Sequence, residues 1–198
     1  ILRAVLDKEI GLRTGNILSH VAVFEVGGYD RMFFVTDAAM NIAPDLQTKK
    51  QILENAVTVA QALDIEKPKA AVICAKEKAN PKMPDTLDAV ELEQMNKRGE
   101  IKGCLVGGPF ALDNAVSVEA AEHKGIFHPV AGHADILLAP DIKAGNVLYK
   151  SMVYFAGAKS AGIIVGAKAP IILTSRADND EAKLYSIALG VLCSERLF

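Results

Sequence analysis

The chain reads as an α/β protein with a mainly parallel sheet, and three observations predict it. Short apolar runs, such as 70–74, 101–106, 135–138 and 162–165, alternate with stretches whose apolar residues recur at the helical period. The runs are apolar throughout rather than alternating, as strands covered on both faces are. Several end in polar residues beside Gly or Pro: Thr36-Asp37, Gly107-Gly108-Pro109, Pro140-Asp141 and Thr174-Ser175-Arg176. In parallel α/β sheets ligands bind beyond the carboxyl ends of strands, so these ends are the first places to look for a site.

Residues 1–9 read as a helix. Val21 to Val26 and Met32 to Thr36 are β-rich and flank the turn Gly27-Gly28-Tyr29-Asp30, which suggests a hairpin. Asp45 or Thr48 then starts a helix whose apolar positions are Ile52, Leu53, Ala56, Val57, Ala60 and Leu63. A strand follows over 70–74. After the loop Asn80 to Asp85, Asp85 or Thr86 caps a helix running to about Lys97. The next strand covers 101–106 and stops at Gly107-Gly108-Pro109. A short helix spans 117–124, a strand 135–138, and a helix about 144–155. Strands at 162–165 and 171–173 lead to the last helix, 179–192.

The bulk numbers exclude several function classes. A chain of 198 residues suits one large domain or two small ones. Hydrophobic residues make up 51% and aromatics 6%, with no Trp, so the core is aliphatic. The net charge of −2 provides no overall positive field for nucleic acid or an anionic membrane. An anionic ligand therefore needs a local site. Cys74, Cys104 and Cys193 are odd in number and far apart. Two lie in apolar runs, and all three read as small hydrophobes of a reducing, cytoplasmic compartment rather than a disulfide frame or zinc site. No apolar run approaches the roughly 18 residues of a membrane span, and no signal-peptide pattern opens the chain. Its start, Ile1 to Leu6, already reads as the inside of an amphipathic helix, so the expectation is a chain that begins mid-protein.

The segment Leu173 to Glu181 carries the most chemistry. A buried apolar run stops at two hydroxyls and a fixed cation, then carboxylates and an amide open a helix. A helix N-terminus offers free N–H groups and a positive dipole end to a phosphate, and the Arg176 fork adds bidentate recognition. The same residues also make a helix cap, with Ser175 or Asp178 at N-cap and acids in the first turn. The other strand ends share this ambiguity. Asp37 and Asn41 face a pocket or cap a turn. At 141–150, Gly145 permits close backbone approach, and Asn146 and Lys150 share a helix face at i, i+4. Lys150 meets a phosphate or lies on the surface. Gly107 to Asp113 has the look of a ligand loop, but neither a Walker loop nor a G-x-G-x-x-G fingerprint is present. His20, His123, His128 and His133 lack metal-ligand spacing, so no metal site is expected. No G-x-S-x-G elbow exists to anchor a hydrolase triad.

Taken together the chain resembles the phosphate acyltransferases of the phosphotransacetylase/phosphate butyryltransferase type. The resemblance rests on Thr36 to Pro44, Gly108 to Asp113, Pro140 to Lys150 and Thr174-Ser175-Arg176, in family order over nearly the whole chain. The stretch Ser175 to Glu181 looks nearer the butyryl branch, and Ile1-Leu2-Arg3 resembles the end of the family's Thr-x-x-Leu-Leu-Arg segment.

The resemblance implies a fold of two α/β domains, a three-layer sandwich of the isocitrate/isopropylmalate dehydrogenase-like type, N-terminally truncated here. Residues 1–47 and 175–198 would be the remainder of domain I and 48–174 domain II, with the active site in the cleft between them. It implies reversible transfer of a short acyl group, butyryl or branched, between coenzyme A and inorganic phosphate, by a cytoplasmic homodimer with no bound cofactor and no nucleic-acid or membrane partner. Arg176 and Ser175 match the family's phosphate-binding pair, and Arg3 a second active-site Arg. Thr174, Asp37, Asn41, Asp113, Asp141, Asn146 and Lys150 are the further substrate-binding candidates. The acetyl branch keeps a catalytic Asp where this chain has Ala182, so Asp178, Asp180 or Glu181 would have to substitute, with Asp180 favoured, or the base lies elsewhere. The alternative is a non-catalytic domain that binds acyl-CoA, since domains resembling this family are fused to malic enzymes as regulatory and assembly modules.

Overall fold

A computed structural model describes residues 2–7 and 9–197, with side chains for 4–7 and 9–196. Six strands form one sheet: β1 (Ser19–Glu25), β2 (Phe33–Thr36), β3 (Lys69–Ile73), β4 (Leu105–Phe110), β5 (Ile136–Leu138) and β6 (Lys159–Val165), in the order β4-β3-β5-β2-β1-β6. β4, β3, β5 and β2 pair in parallel, while β1 runs antiparallel to both of its neighbours, β2 and β6. The expected hairpin is the β1–β2 pair, inserted into an otherwise parallel sheet.

The helices are α1 (Leu2–Val5), α2 (Leu46–Ala62), α3 (Pro84–Lys97), α4 (Leu112–Val116), α5 (Val118–His123), α6 (Ile142–Tyr154) and α7 (Asp180–Leu197). They cover both faces of the sheet. On one face α2, α3 and α7 bury Ile52, Leu53, Leu92, Leu189 and Cys193 against Val21, Phe34 and Ile136. On the other, α4, α5 and α6 close over Ala22, Phe24, Val35, Ala71 and Leu137. Of the two candidate starts of α2, Asp45 is the cap: its carboxylate accepts the Thr48 N–H at 2.8 Å. All three cysteines are buried and unpaired, and burial pushes the thiols up, to about 12 for Cys74 and about 11 for Cys104 and Cys193.

Four local expectations need correction. β4 lies four residues later than 101–106 and runs through Gly107-Gly108-Pro109. The Asn96 side chain holds 101–104 as a loop, donating to the Ile101 and Cys104 carbonyls at 3.0 and 3.1 Å and accepting the Val106 N–H at 3.1 Å. β4 is an edge strand, where a proline costs least in ladder hydrogen bonds. α3 starts at Pro84 behind Met83, because the Thr86 hydroxyl turns back to accept the Asn80 N–H and to donate to the Met83 carbonyl. Residues 171–173 are not a strand: Ile171 alone exchanges backbone hydrogen bonds with Ile164, at 2.8 and 2.9 Å, along the outer edge of β6. α4 was not anticipated at all.

β1 and β2, from residues 1–47, hydrogen-bond to β6 and β5, from residues 48–174. A division of the chain at 47/48 would therefore cut through the sheet.

The packing makes one stability prediction. Leu53 is fully buried between α2 and the sheet. Leu53→Ala should lower unfolding free energy by about 2–5 kcal/mol through lost burial and a residual cavity. Urea denaturation checks this as a fall in midpoint at unchanged slope.

Candidate active site

The site is assembled from three segments around the ends of β1, β2 and β6. The first is the turn after β2. Asp37 is only 3% exposed, and its carboxylate is occupied by the turn itself. It accepts the N–H groups of Ala39, Met40 and Asn41 at 2.8, 3.0 and 3.1 Å, and the Asn41 Nδ2 at 2.6 Å. Asn41 Nδ2 also donates to the Leu18 carbonyl at 2.9 Å. Of the pocket and turn readings for these two residues, the turn describes where their polar atoms go. What the turn presents to the cavity is Ala38, Ala39 and Met40.

The second segment is α6. Asp141 caps it, accepting the Ala144 N–H at 2.9 Å. Gly145 is buried against the turn, and any Cβ there would overlap the backbone oxygen of Asp37. One residue on, Asn146 Nδ2 donates to the Ala38 carbonyl at 3.2 Å. This docking brings Asn146, Tyr149 and Lys150 to the cavity wall. Lys150 Nζ lies 5.2 Å from the Tyr149 ring centre and 5.9 Å from that of Tyr154, within cation–π range.

The third segment is the return from β6 into α7. Here the Ser175 N–H donates to Asp178 Oδ2 at 2.7 Å, and Ser175 Oγ accepts the Ala177 N–H at 3.2 Å. The cap of α7 is Asn179, whose Oδ1 accepts the Ala182 N–H at 2.8 Å, rather than Ser175 or Asp178. Leu173, Thr174, Ser175, Asp178, Ala182 and Ser186 face inward. His20 of β1 with Ser160, Gly162 and Ile164 of β6 form the floor. The cavity volume is about 270 Å³.

The structure thus brings together Thr174, Ser175, Asp178, Asn146 and Lys150, as the sequence suggested. It leaves other candidates outside the wall. Arg176 is exposed beside Ser175. Asp180 is fully exposed and pairs with Lys183 at 3.2 Å. Asp141 serves its helix, and Asp37 and Asn41 serve the turn. Asp113 sits on α4, where it pairs with Lys124 at 3.0 Å. The Arg3 side chain lies outside the described residues. Among the described residues, neither Arg176 nor Lys150 has an ion-pair partner.

His20, Tyr149, Ser160 and Ser186 were missed. Their signals were present but weak: His20 opens an apolar run, and Ser186 lies in α7 among apolar neighbours. His20 is 8% exposed, and its Nδ1 has no hydrogen-bond partner. Burial lowers its pKa, partly opposed by the carboxylates of Asp37 and Asp178. Burial raises the Tyr149 hydroxyl, and the Asp178 charge adds to this.

Comparison with known proteins identifies the scaffold's relatives. The family described as "Phosphate acetyl/butaryl transferase" matches residues 1–191. A probable phosphate butyryltransferase of Bacillus subtilis is 60% identical over 98% of this chain and 65% of its own length. A phosphate butyryltransferase of Clostridium acetobutylicum is 57% identical over 96% of this chain and 64% of its own. The chain therefore spans just under two thirds of these relatives. The crystal structure of a branched-chain phosphotransacylase from Enterococcus faecalis superposes with a TM-score of 0.89 at 42% identity, covering 98% of this chain and 70% of that one.

The buried imidazole makes stability depend on pH. With the His20 pKa lower in the folded than in the unfolded state, its contribution is fully present above about pH 6.5 and is lost as pH falls towards the folded value. Urea unfolding of the parent should weaken between pH 7 and 5, and His20→Asn should flatten that slope. An identical slope in the variant would contradict the burial assignment.

Proposed function

Because the chain belongs to the phosphate acetyl/butyryl transferase family, we propose that the protein it forms part of transfers a short acyl group, butyryl or branched, between coenzyme A and inorganic phosphate. The observation that carries this reading is the make-up of one cavity. Its α6 wall supplies Lys150 and Asn146, and the opposite wall supplies the Thr174 and Ser175 hydroxyls. Met40, Ile164 and Leu173 give it an apolar end suited to a short hydrocarbon chain.

In the direction of acyl-CoA synthesis, the acyl phosphate binds with its phosphate between Ser175, Arg176 and Lys150. Arg and Lys without competing carboxylates are available to the phosphate oxygens, and hydroxyls add hydrogen bonds. The CoA thiol attacks the carbonyl carbon, the tetrahedral oxyanion is held by nearby donors, and phosphate leaves. Direct attack requires no acyl-enzyme, and the buried, high-pKa cysteines are unsuited to form one. Asp180, pointing to solvent, is poorly placed as the base, and the Asp178 carboxylate already accepts the Ser175 N–H.

The proposal includes the two-domain, dehydrogenase-like sandwich, with residues 1–47 and 175–198 as the remainder of domain I, 48–174 as domain II and the active site in the cleft between them. It includes a homodimer, a cytoplasmic location and no bound cofactor, as the resemblance implies. The alternative, a non-catalytic acyl-CoA-binding domain, has Ala182 in its favour, because the cavity wall is apolar at that point.

The test is phosphate-dependent loss of butyryl-CoA by the complete protein. Turnover is expected with at least one C2–C5 acyl-CoA. Arg176→Ala or Lys150→Ala should raise the KM for phosphate about 10- to 100-fold, the loss of a charge-assisted hydrogen bond. Acyl-CoA binding without any turnover would instead support the non-catalytic domain.

A further inference from the structure

Within the proposed reaction, on which this inference rests, one side chain lining the cavity carries a buried polar atom without a partner. The carboxylates near the opening are committed elsewhere: Asp37 to its turn, Asp178 to the Ser175 N–H, and Asp180 to Lys183 in solvent. His20 is different. It lies near the start of β1, beside the edge strand β6, more than nine-tenths buried, yet its Nδ1 has no partner and its ring lines the cavity floor. Its Nε2 faces the space left by Gly162: a Cβ there would come within 2.8 Å of it. The Gly162 N–H donates to Ser186 Oγ at 3.0 Å, and that hydroxyl donates to the Ala182 carbonyl at 2.7 Å, so α7 braces the floor beside the ring. The Tyr149 ring stands edge-on at 5.9 Å. A buried imidazole without a hydrogen-bonding duty is costly to keep for packing alone.

We propose that His20 is the proton acceptor for the CoA thiol. The thiol S–H bond breaks as its proton passes to the imidazole nitrogen facing the cavity. The sulfur electron pair forms the C–S bond to the acyl carbonyl, the C–O bond to phosphate breaks, and the imidazolium returns its proton to the departing phosphate. Atoms and charge balance as acyl phosphate plus thiol giving thioester plus inorganic phosphate. A largely neutral imidazole at pH 7 is ready to accept a proton. The charged and titratable groups around it suit the imidazolium that forms. Asp37 in the turn after β2 and Asp178 before α7 both favour the cation. Tyr149 and Lys150 on α6 line the same cavity, as do the uncharged hydroxyls Ser160 of β6 and Ser186 of α7.

The experiment compares His20→Gln with the parent, in the complete protein, for butyryl phosphate plus CoA across pH 7 to 9.5. Without a base the reaction must wait for free thiolate, whose fraction rises about tenfold per pH unit below a thiol pKa near 8.5. The parent-to-variant ratio of kcat/KM for CoA should be about 30 or more at pH 7 and fall towards unity by pH 9.5. A merely structural role gives a ratio independent of pH, large or small, and would overturn the inference. If His20→Gln does not fold, Gly162→Ala displaces the imidazole without removing it; the same convergence with pH is expected, and a flat ratio again overturns it. Parent turnover with a flat ratio rejects His20 alone, whereas no parent turnover rejects the acyl-transfer reading together with it.

Discussion

The docking of α6 against the turn after β2 is the contact on which the site depends. Two sequence features make it possible. Asp37 turns its carboxylate into a template for the backbone N–H groups of residues 39–41, which fixes the turn without help from solvent. Gly145 then lets the helix backbone approach where any side chain would meet the Asp37 carbonyl oxygen. With that approach in place, Asn146 reaches the Ala38 carbonyl, and Tyr149 and Lys150 follow onto the same wall. Without it, the cation on α6 and the hydroxyls before α7 would not face a common space.

The opposite wall is built by economy of a similar kind. The chain leaving β6 exchanges two backbone hydrogen bonds with it through Ile171, which holds the segment against the sheet edge and sets the start of the Leu173-Thr174-Ser175 run. Asp178 accepts the Ser175 N–H in the turn before α7, and Asn179 accepts the Ala182 N–H in its first turn. Carboxylates that look catalytic in a linear reading are thereby consumed by local structure. The positive groups are spared: Lys150 rests on aromatic rings, and Arg176 stands exposed beside Ser175.

Much of the fold was legible because its signals are local. Asp45 and Asp141 announce their helices by cap position, the period of Ile52 to Ala60 defines the buried face of α2, and Gly145 marks a close approach. The Thr174-Ser175 pair and the Asn146/Lys150 face were legible as polar residues at strand and helix starts, and they do meet. What was not legible depends on contacts distant in sequence. The position of β4 is set by the Asn96 side chain, and no propensity encodes that bond. His20 reads only as a histidine without metal-ligand spacing until β6 and α7 place Gly162 and Ser186 around it. Asp113 ends the Gly108 to Asp113 stretch that looked like a ligand loop, yet its partner in this structure is Lys124, and it does not line the cavity. Strand pairing also carries β1 and β2 into the sheet of β3–β6, which a boundary drawn along the sequence could not reveal.

The central claim is that one cavity binds phosphate and the reactive end of an acyl thioester together. A crystal structure of the complete protein with coenzyme A and inorganic phosphate tests it most directly. The account predicts phosphate oxygens within hydrogen-bond distance, about 2.7–3.2 Å, of the Ser175 hydroxyl and the Lys150 ammonium, with the thiol directed at His20. Phosphate bound away from the 173–178 segment, or a thiol terminus outside this cavity, would contradict it.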